Sequence, residues 1–176
     1  MNRTILVTGV SRGLGLAVAE TLLEAGDTVL GVSRTKSEAI GALEQRFPER
    51  MKFRAVIHPS AYVSSSCRIG RGVIVGPNVT IGPNVAIGDY TLLNARVSVG
   101  HDAQIGSCNI VSPNVAFTGF AKVGDDNFFG LNSAVLPRVS IGNGNTIAAG
   151  MIVDKDVGNG EVVFYRFKER IVAVAK

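Results

Sequence analysis

Residues 73–88 read Val73-Ile-Val-Gly-Pro-Asn-Val-Thr-Ile-Gly-Pro-Asn-Val-Ala-Ile-Gly88, and the same six-residue cadence runs outward in both directions. Counted every sixth residue from Ile57 to Val153, all 17 positions are aliphatic or Phe, without one insertion. In a chain that is 46% hydrophobic, a chance run of that kind has a probability on the order of 10⁻⁵ over six frames. The next residue is Gly at 70, 76, 82, 88, 100, 106, 124, 130 and 142, and the residue two before is small or β-branched at most repeats (Ala61, Val73, Val79, Val85, Thr91, Val97, Ala103). Such a period describes a short parallel strand followed by a turn. Three hexads close an 18-residue triangular coil, and stacked coils pair backbone to backbone at about 4.8 Å. The aliphatics fill a narrow axial core, and the glycines are expected to relieve φ constraints at the corners. Seventeen hexads amount to between five and six coils.

Residues 1–56 have a different rhythm. The run from Thr4 to Gly9 reads as a buried strand closed by Gly, and a helix follows over residues 14–24. Leu14, Val18, Leu22 and Ala25 share its expected inner face, and Gly26 stops it. A second strand is expected over 28–32, a second helix over 37–46 ended by Pro48, and a third strand over 51–56. That order is β-α-β-α-β, half of a doubly wound parallel sheet.

Composition agrees with a repetitive, thin-cored chain: 21 Gly in 176 residues, 11 aromatics and no Trp. With 18% charge and 46% hydrophobic residues, disorder is excluded. The net charge of +4 and pI near 9.3 suit phosphate-bearing small molecules, and no basic cluster interleaved with aromatics points to nucleic acid. Cys67 and Cys108 make neither a metal pattern nor a disulfide framework. With no signal-peptide pattern in residues 1–20 and no membrane-length apolar run, a cytoplasmic location is the expectation.

Thr8-Gly9-Val10-Ser11-Arg12-Gly13-Leu14-Gly15 resembles the T-G-x-x-x-G-x-G loop of short-chain dehydrogenases/reductases, whose backbone N–H groups meet a diphosphate at a helix N-terminus. Ser33-Arg34 after the second strand, with no acidic residue there, resembles the NADP-type variant. The resemblance implies Gly9, Ser11, Arg12, Gly13, Ser33 and Arg34 as nucleotide contacts. The loop fits a retained structural turn as well as a working site. NADP-dependent reduction ranks last, because the family's Tyr-x-x-x-Lys pair is missing. Four residues after Tyr62, Tyr90 and Tyr165 stand Ser66, Asn94 and Glu169.

Residues 57–156 resemble the left-handed parallel β-helix of hexapeptide-repeat acyltransferases, in which three prisms associate and acetyl-CoA lies in the groove between neighbours. The run Leu93-Asn94-x4-Val99-Gly100-His101-Asp102 resembles a narrower family, the nucleotide-sugar N-acetyltransferases and their sialic acid O-acetyltransferase relatives. These also carry a small β-α-β domain first, although over residues 1–56 the likeness is architectural only. The fold expected is therefore an α/β half-Rossmann unit (1–56), a left-handed parallel β-helix (57–156) and a capping tail (157–176).

The resemblance implies roles position by position. His101 matches the general base that takes a proton from the acceptor amine, a task suited to an imidazole at neutral pH. Asp102 matches the carboxylate beside it, usually Glu, and the shorter side chain makes its reach the point to check. Gly119, one 18-residue coil later, matches the backbone oxyanion donor. Leu131, Ala149 and Gly150 match the CoA groove, and Asn94 a polar residue near the acceptor. His58 reads as structural. The family's C-terminal Gly-x-Pro-Ala-Lys is absent. Together the motifs and the resemblance imply an acetyl-CoA-dependent transfer to the amine of a nucleotide-linked amino sugar, by a homotrimer without metal, nucleic-acid or membrane partner. The alternatives are sugar O-acetylation or a non-catalytic nucleotide-binding scaffold. A γ-class carbonic anhydrase, with its three zinc-ligating histidines, is excluded by a chain holding two.

Overall fold

In the computed structural model, which describes residues 3–33 and 37–165, the hexads form three parallel sheets wound into a triangular prism. Each strand is two residues long. The first face runs from Val56–Ile57 to Val162–Val163 with seven strands. The second runs from Tyr62–Val63 to Ile152–Val153 with six, and the third from Arg68–Ile69 to Ser140–Ile141 with five. Register between stacked strands is 18 residues, as in Ile74↔Leu92 and Leu92↔Ile110. The Gly76, Gly82 and Gly88 N–H groups donate to Leu93, Val99 and Ile105 carbonyls of the next coil, each at 2.8 Å. From Val75 to Val153 every counted inward position is buried. Phe117 and Phe129 meet edge to face at 4.9 Å within this core, a geometry aromatic pairs prefer.

Two features of the prism differ from the sequence expectation. The counted glycines do not occupy the left-handed corner positions. Those fall two residues later, at Asn78, Asn84, Tyr90, Arg96, Asp102, Cys108, Asn114, Phe120, Asp126, Asn132 and Arg138, with φ between 55° and 65°. The glycines are there because the next coil leaves no room. A Cβ at Gly70 would lie 2.7 Å from Asp89 N, and one at Gly100 2.7 Å from Gly119 N. The helix also continues past residue 156. Ile141 pairs with Val157 and Thr146 with Val162, a 16-residue coil in place of 18. The hexad after Val153 is two residues short, so a fixed count of six lands on Asn159 and misses Val157. The remainder of the expected tail, 166–176, lies outside the described residues.

The first segment forms a three-stranded parallel sheet in the order β1 (Thr4–Thr8), β2 (Thr28–Val32), β3 (Met51–Lys52), with helices α1 (Gly13–Glu24) and α2 (Glu38–Arg46) between. The Ser37 hydroxyl caps α2 by accepting from Ile40 N–H at 3.3 Å. The third strand is shorter than expected because Val56 already belongs to the prism. On α1 the buried stripe is Ala19 and Leu23 with Leu16 and Leu22 beside it, whereas Leu14 is 82% exposed and Val18 is exposed too. Apolar residues surround so much of this helix that periodicity offered two faces, and the sheet took the other.

The two parts are joined through Tyr90, a prism residue buried in the core of the α/β segment. Its hydroxyl donates to Glu44 Oε1 at 3.1 Å and its ring meets Phe53 edge to face at 5.2 Å. Arg71 bridges Glu44 and Asp89, each at 2.9 Å. Burial and the Glu44 carboxylate hold the Tyr90 hydroxyl protonated well above the usual phenol range.

Candidate active site

His101 lies at the corner between the second and third faces, where the turn carries its ring outward. Nδ1 lies 2.8 Å from Asp102 Oδ2, so the shorter carboxylate does reach the imidazole. It does so because Asp102 adopts a left-handed backbone, φ 57°, which turns its side chain back toward its neighbour. Asn84, one coil below, donates from Nδ2 to the other carboxylate oxygen at 3.2 Å. The hydrogen bond with His101, and after it the one from Asn84, hold the Asp102 carboxyl below the ordinary carboxylate range.

Gly119 lies against the His101 ring one coil above. A Cβ there would stand 2.8 Å from both Cε1 and Nε2 of the imidazole. Nothing among the described residues accepts from the Gly119 N–H, while its carbonyl accepts from Arg138 N–H at 3.3 Å. With Gly100 also lacking a Cβ beside Gly119 N, the corner leaves a clear approach to a backbone donor adjacent to a ring nitrogen. The ring of Phe120 stands edge to face with His101, centroids 5.1 Å apart. The sequence reading did not single out Asn84 or Phe120, although their 18-residue offset from Asp102 was the available signal.

A second site faces the first sheet. Gly9, Ser11, Arg12 and Ser33 line a cleft of about 1110 Å³ between the α/β segment and the prism, and Asn94 and Ser112 lie on its far wall with Ile74, Leu92, Ile110 and Phe128. Gly9 and Gly13 have positive φ, and a Cβ on Gly15 would fall 2.5 Å from the Thr8 and Gly9 carbonyl oxygens. The loop thus needs glycine for two reasons, turn and close approach. Ser37 Oγ donates to Ser11 O at 3.0 Å, pinning the loop to α2. No side chain caps α1, so its N-terminal N–H groups are left to the cleft. Asn94 is fixed by Nδ2 donating to Val111 O at 3.0 Å. Arg34 lies outside the described residues.

Leu131, Ala149 and Gly150 come together at the corner between the first and second faces, where Gly150 N–H donates to Leu131 O at 2.8 Å. His101, Asp102 and Gly119 are one group, Leu131, Ala149 and Gly150 another, and a full face of the prism separates them. Asn94 and the cleft also lie on the far side of that face. Among the described residues no group of three or more His, Cys, Asp or Glu could hold a metal, and no helix is long and apolar enough to cross a membrane.

Comparison with known proteins matches both parts. The bacterial transferase hexapeptide (six repeats) family matches residues 51–83, and the short chain dehydrogenase family matches residues 3–58. No curated protein matches by sequence. Among solved structures, PerB from Caulobacter crescentus, in complex with CoA and GDP-perosamine, is 25% identical, with a TM-score of 0.75 over 92% of this chain and 93% of that one. The acetyltransferase domain of PglB from Neisseria gonorrhoeae, in complex with acetyl coenzyme A, superposes with a TM-score of 0.67 at 20% identity over 92% and 96%. WeeI from Acinetobacter baumannii does so with 0.68 at 18% over the same shares. The order of an α/β segment before a left-handed β-helix is thus shared along nearly the whole of each chain.

Proposed function

We propose that the protein is an acetyl-CoA-dependent acetyltransferase that acetylates the amine of a nucleotide-linked amino sugar, with His101 as general base. The observation that carries this is the corner itself. An imidazole oriented by a carboxylate at 2.8 Å lies against a glycine whose backbone N–H has no acceptor among the described residues. The likeness to PerB, a protein crystallised with CoA and a nucleotide sugar, supports the same pair of substrates.

Acetyl-CoA fits because the corner offers what a thioester needs and the core of a protein seldom leaves open: a free N–H in a place with no side chain. The co-substrate supplies an activated acyl carbon. Asp102 accepts from Nδ1–H and so keeps the lone pair on Nε2, the nitrogen that faces Gly119. Nε2 takes the proton of the acceptor amine as it attacks, and later returns a proton to the leaving thiolate. Gly119 N–H donates to the carbonyl oxygen where negative charge collects. The hydrogen bonds from His101 and Asn84 keep Asp102 ionised, so it can stabilise the imidazolium formed along the way. No covalent enzyme intermediate enters.

The glycine loop, Ser11, Arg12 and Ser33, with Asn94 opposite, hold the nucleotide portion. One chain places this cleft and the His101 corner on opposite sides of the second face. A homotrimer resolves that separation, because the His101 corner of one prism then meets the groove wall of Leu131, Ala149 and Gly150 and the cleft of its neighbour. The test is thiol release from acetyl-CoA with a panel of nucleotide-linked amino sugars, GDP-perosamine among them, beside their hydroxyl analogues. Release with the amine and not the alcohol is the expected result. Release with the alcohol alone means O-acetylation, and release with neither from folded protein contradicts the proposal.

A further inference from the structure

Among the described residues, eleven non-glycine residues hold a left-handed backbone, and six of them are Asn or Asp, the types that tolerate it. The other five are Tyr90, Arg96, Cys108, Phe120 and Arg138. Tyr90 and Cys108 are used to pack the prism against the α/β segment. Arg96 is held by Nε donating to Asn114 Oδ1 at 2.7 Å. Phe120 and Arg138 are not part of the packing against the α/β segment; their side chains meet each other, and Phe120 meets His101. They stack on Asp102 at successive coils of one corner, at φ 62° and 65°. A bulky side chain in that conformation is strained, and strain of this kind gathers at functional sites.

Their contacts say what they do there. Phe120, 41% exposed, forms a T-shaped pair with the His101 imidazole, centroids 5.1 Å apart and planes at 89°. The Arg138 guanidinium lies over the Phe120 ring, 5.1 Å from its centroid, and pairs with no acidic side chain among the described residues. The ring therefore contacts both an imidazole and a cation, and it follows directly on Gly119, whose N–H has no acceptor among the described residues. Asp102 beside His101 and Asn84 one coil below take up one side of the imidazole, and Phe120, one coil above, borders the side near Gly119.

We infer that Phe120, clamped by Arg138, is the residue that limits the length of the transferred acyl group. This rests on the proposed acyl transfer at His101. With the thioester oxygen on Gly119 N–H and the attacking amine at Nε2, two substituents of the acyl carbon remain; the sulfur leads away along the CoA groove wall of the neighbouring prism, and the acyl chain is left to fit beside the ring. A rigid aromatic wall there accepts a methyl and rejects longer chains. A methylene that meets a wall of this kind changes discrimination by roughly 10–200-fold.

The experiment measures kcat/KM for acetyl-, propionyl- and butyryl-CoA with one nucleotide-linked amino sugar, in the wild type, Phe120→Asn, Phe120→Ala and Arg138→Gln. Phe120→Asn places the residue type favoured at left-handed positions, which keeps the backbone and so separates selectivity from folding. The expected result is a rise of about tenfold or more in the butyryl-to-acetyl ratio for both Phe120 variants. A smaller rise is expected for Arg138→Gln, with the acceptor KM moving little. An unchanged ratio with a raised acceptor KM overturns the inference and makes the ring an acceptor platform. An unchanged ratio with a lowered thermal midpoint makes it packing alone. Absence of thiol release from the wild type with every donor overturns the proposed function instead, and the inference with it.

Discussion

At His101 a single backbone angle decides whether the neighbouring carboxylate reaches the imidazole. Asp102 is one carbon shorter than the glutamate of the family that the motif resembles, yet the left-handed turn at φ 57° brings its carboxylate to 2.8 Å from Nδ1. Gly119 is as tightly specified, since a methyl there would lie 2.8 Å from Cε1 and Nε2. Gly119→Ala keeps the backbone N–H but is expected to push the imidazole off that position and to obstruct the approach to the donor, lowering kcat by about 10²-fold, an effect comparable with loss of an oxyanion donor. Its thermal midpoint should stay near the wild type, because the ring is exposed and can move. Kinetics and a melting curve on the same preparation check this, and an alanine variant with full kcat contradicts it. The sequence placed His101, Asp102 and Gly119 together by counting one coil. It did not reach Phe120 and Arg138, whose types carry no motif and whose meaning comes from the backbone angle they occupy.

Between coils, the repeat contains a buried polar row that a hydrophobic count passes over. Asn109, Asn127 and Asn145 stack at 18-residue intervals inside the prism. Asn127 and Asn145 donate their backbone N–H groups to the side-chain oxygens of Asn109 and Asn127 at 2.9 and 2.8 Å. Thr91 begins the row by accepting from Asn109 N–H at 3.2 Å, and Glu161 N–H ends it on Asn145 Oδ1 at 2.7 Å. Asn127→Ala leaves the Asn145 N–H without an acceptor and should destabilise the fold by about 1–3 kcal/mol. Denaturant unfolding reads this, and no change would mean that water replaces the side chain. The row was legible in principle, as Asn recurring every 18 residues, but a count of apolar residues at period six does not see it. The same count misreads the glycines, whose cause is the close approach of the next coil.

In the α/β segment, Arg3 holds Asp27 by three hydrogen bonds, from its backbone N–H at 3.0 Å, Nε at 3.3 Å and a terminal nitrogen at 2.7 Å. The side-chain bond first, and the backbone bond after it, lower the Asp27 pKa below the ordinary carboxylate value. A depressed carboxylate contributes stability that is fully present above its unfolded pKa of about 3.9 and lost as pH falls through the lower folded value. Asp27→Asn should therefore lower the thermal midpoint at neutral pH, with the gap closing in acid as pH falls below the unfolded value. A gap that persists unchanged in acid would assign the loss to packing.

Over the whole molecule, the architecture of the prism was legible because a six-residue period with one inward aliphatic has few solutions, and the structure extends it by the shortened last coil at Val157. The cleft was legible on one side only. The glycine loop was in the sequence, whereas its opposite wall of Ile74, Leu92, Ile110 and Phe128 is made of outward residues from four separate coils. No local pattern marks them, because what brings them to the loop is the docking of the α/β segment at Tyr90. The separation of the cleft from His101 by one prism face also emerges only in three dimensions, and under the proposed function it is an assembly of prisms that would bring the two together. The central claim is that the His101 corner performs that transfer. The most direct test compares wild type and His101→Ala for acetyl-CoA-dependent thiol release with a nucleotide-linked amino sugar. A fall in kcat of about 10²–10⁴-fold at an unchanged oligomeric state and thermal midpoint is the predicted result, and equal rates in the two proteins would contradict the claim.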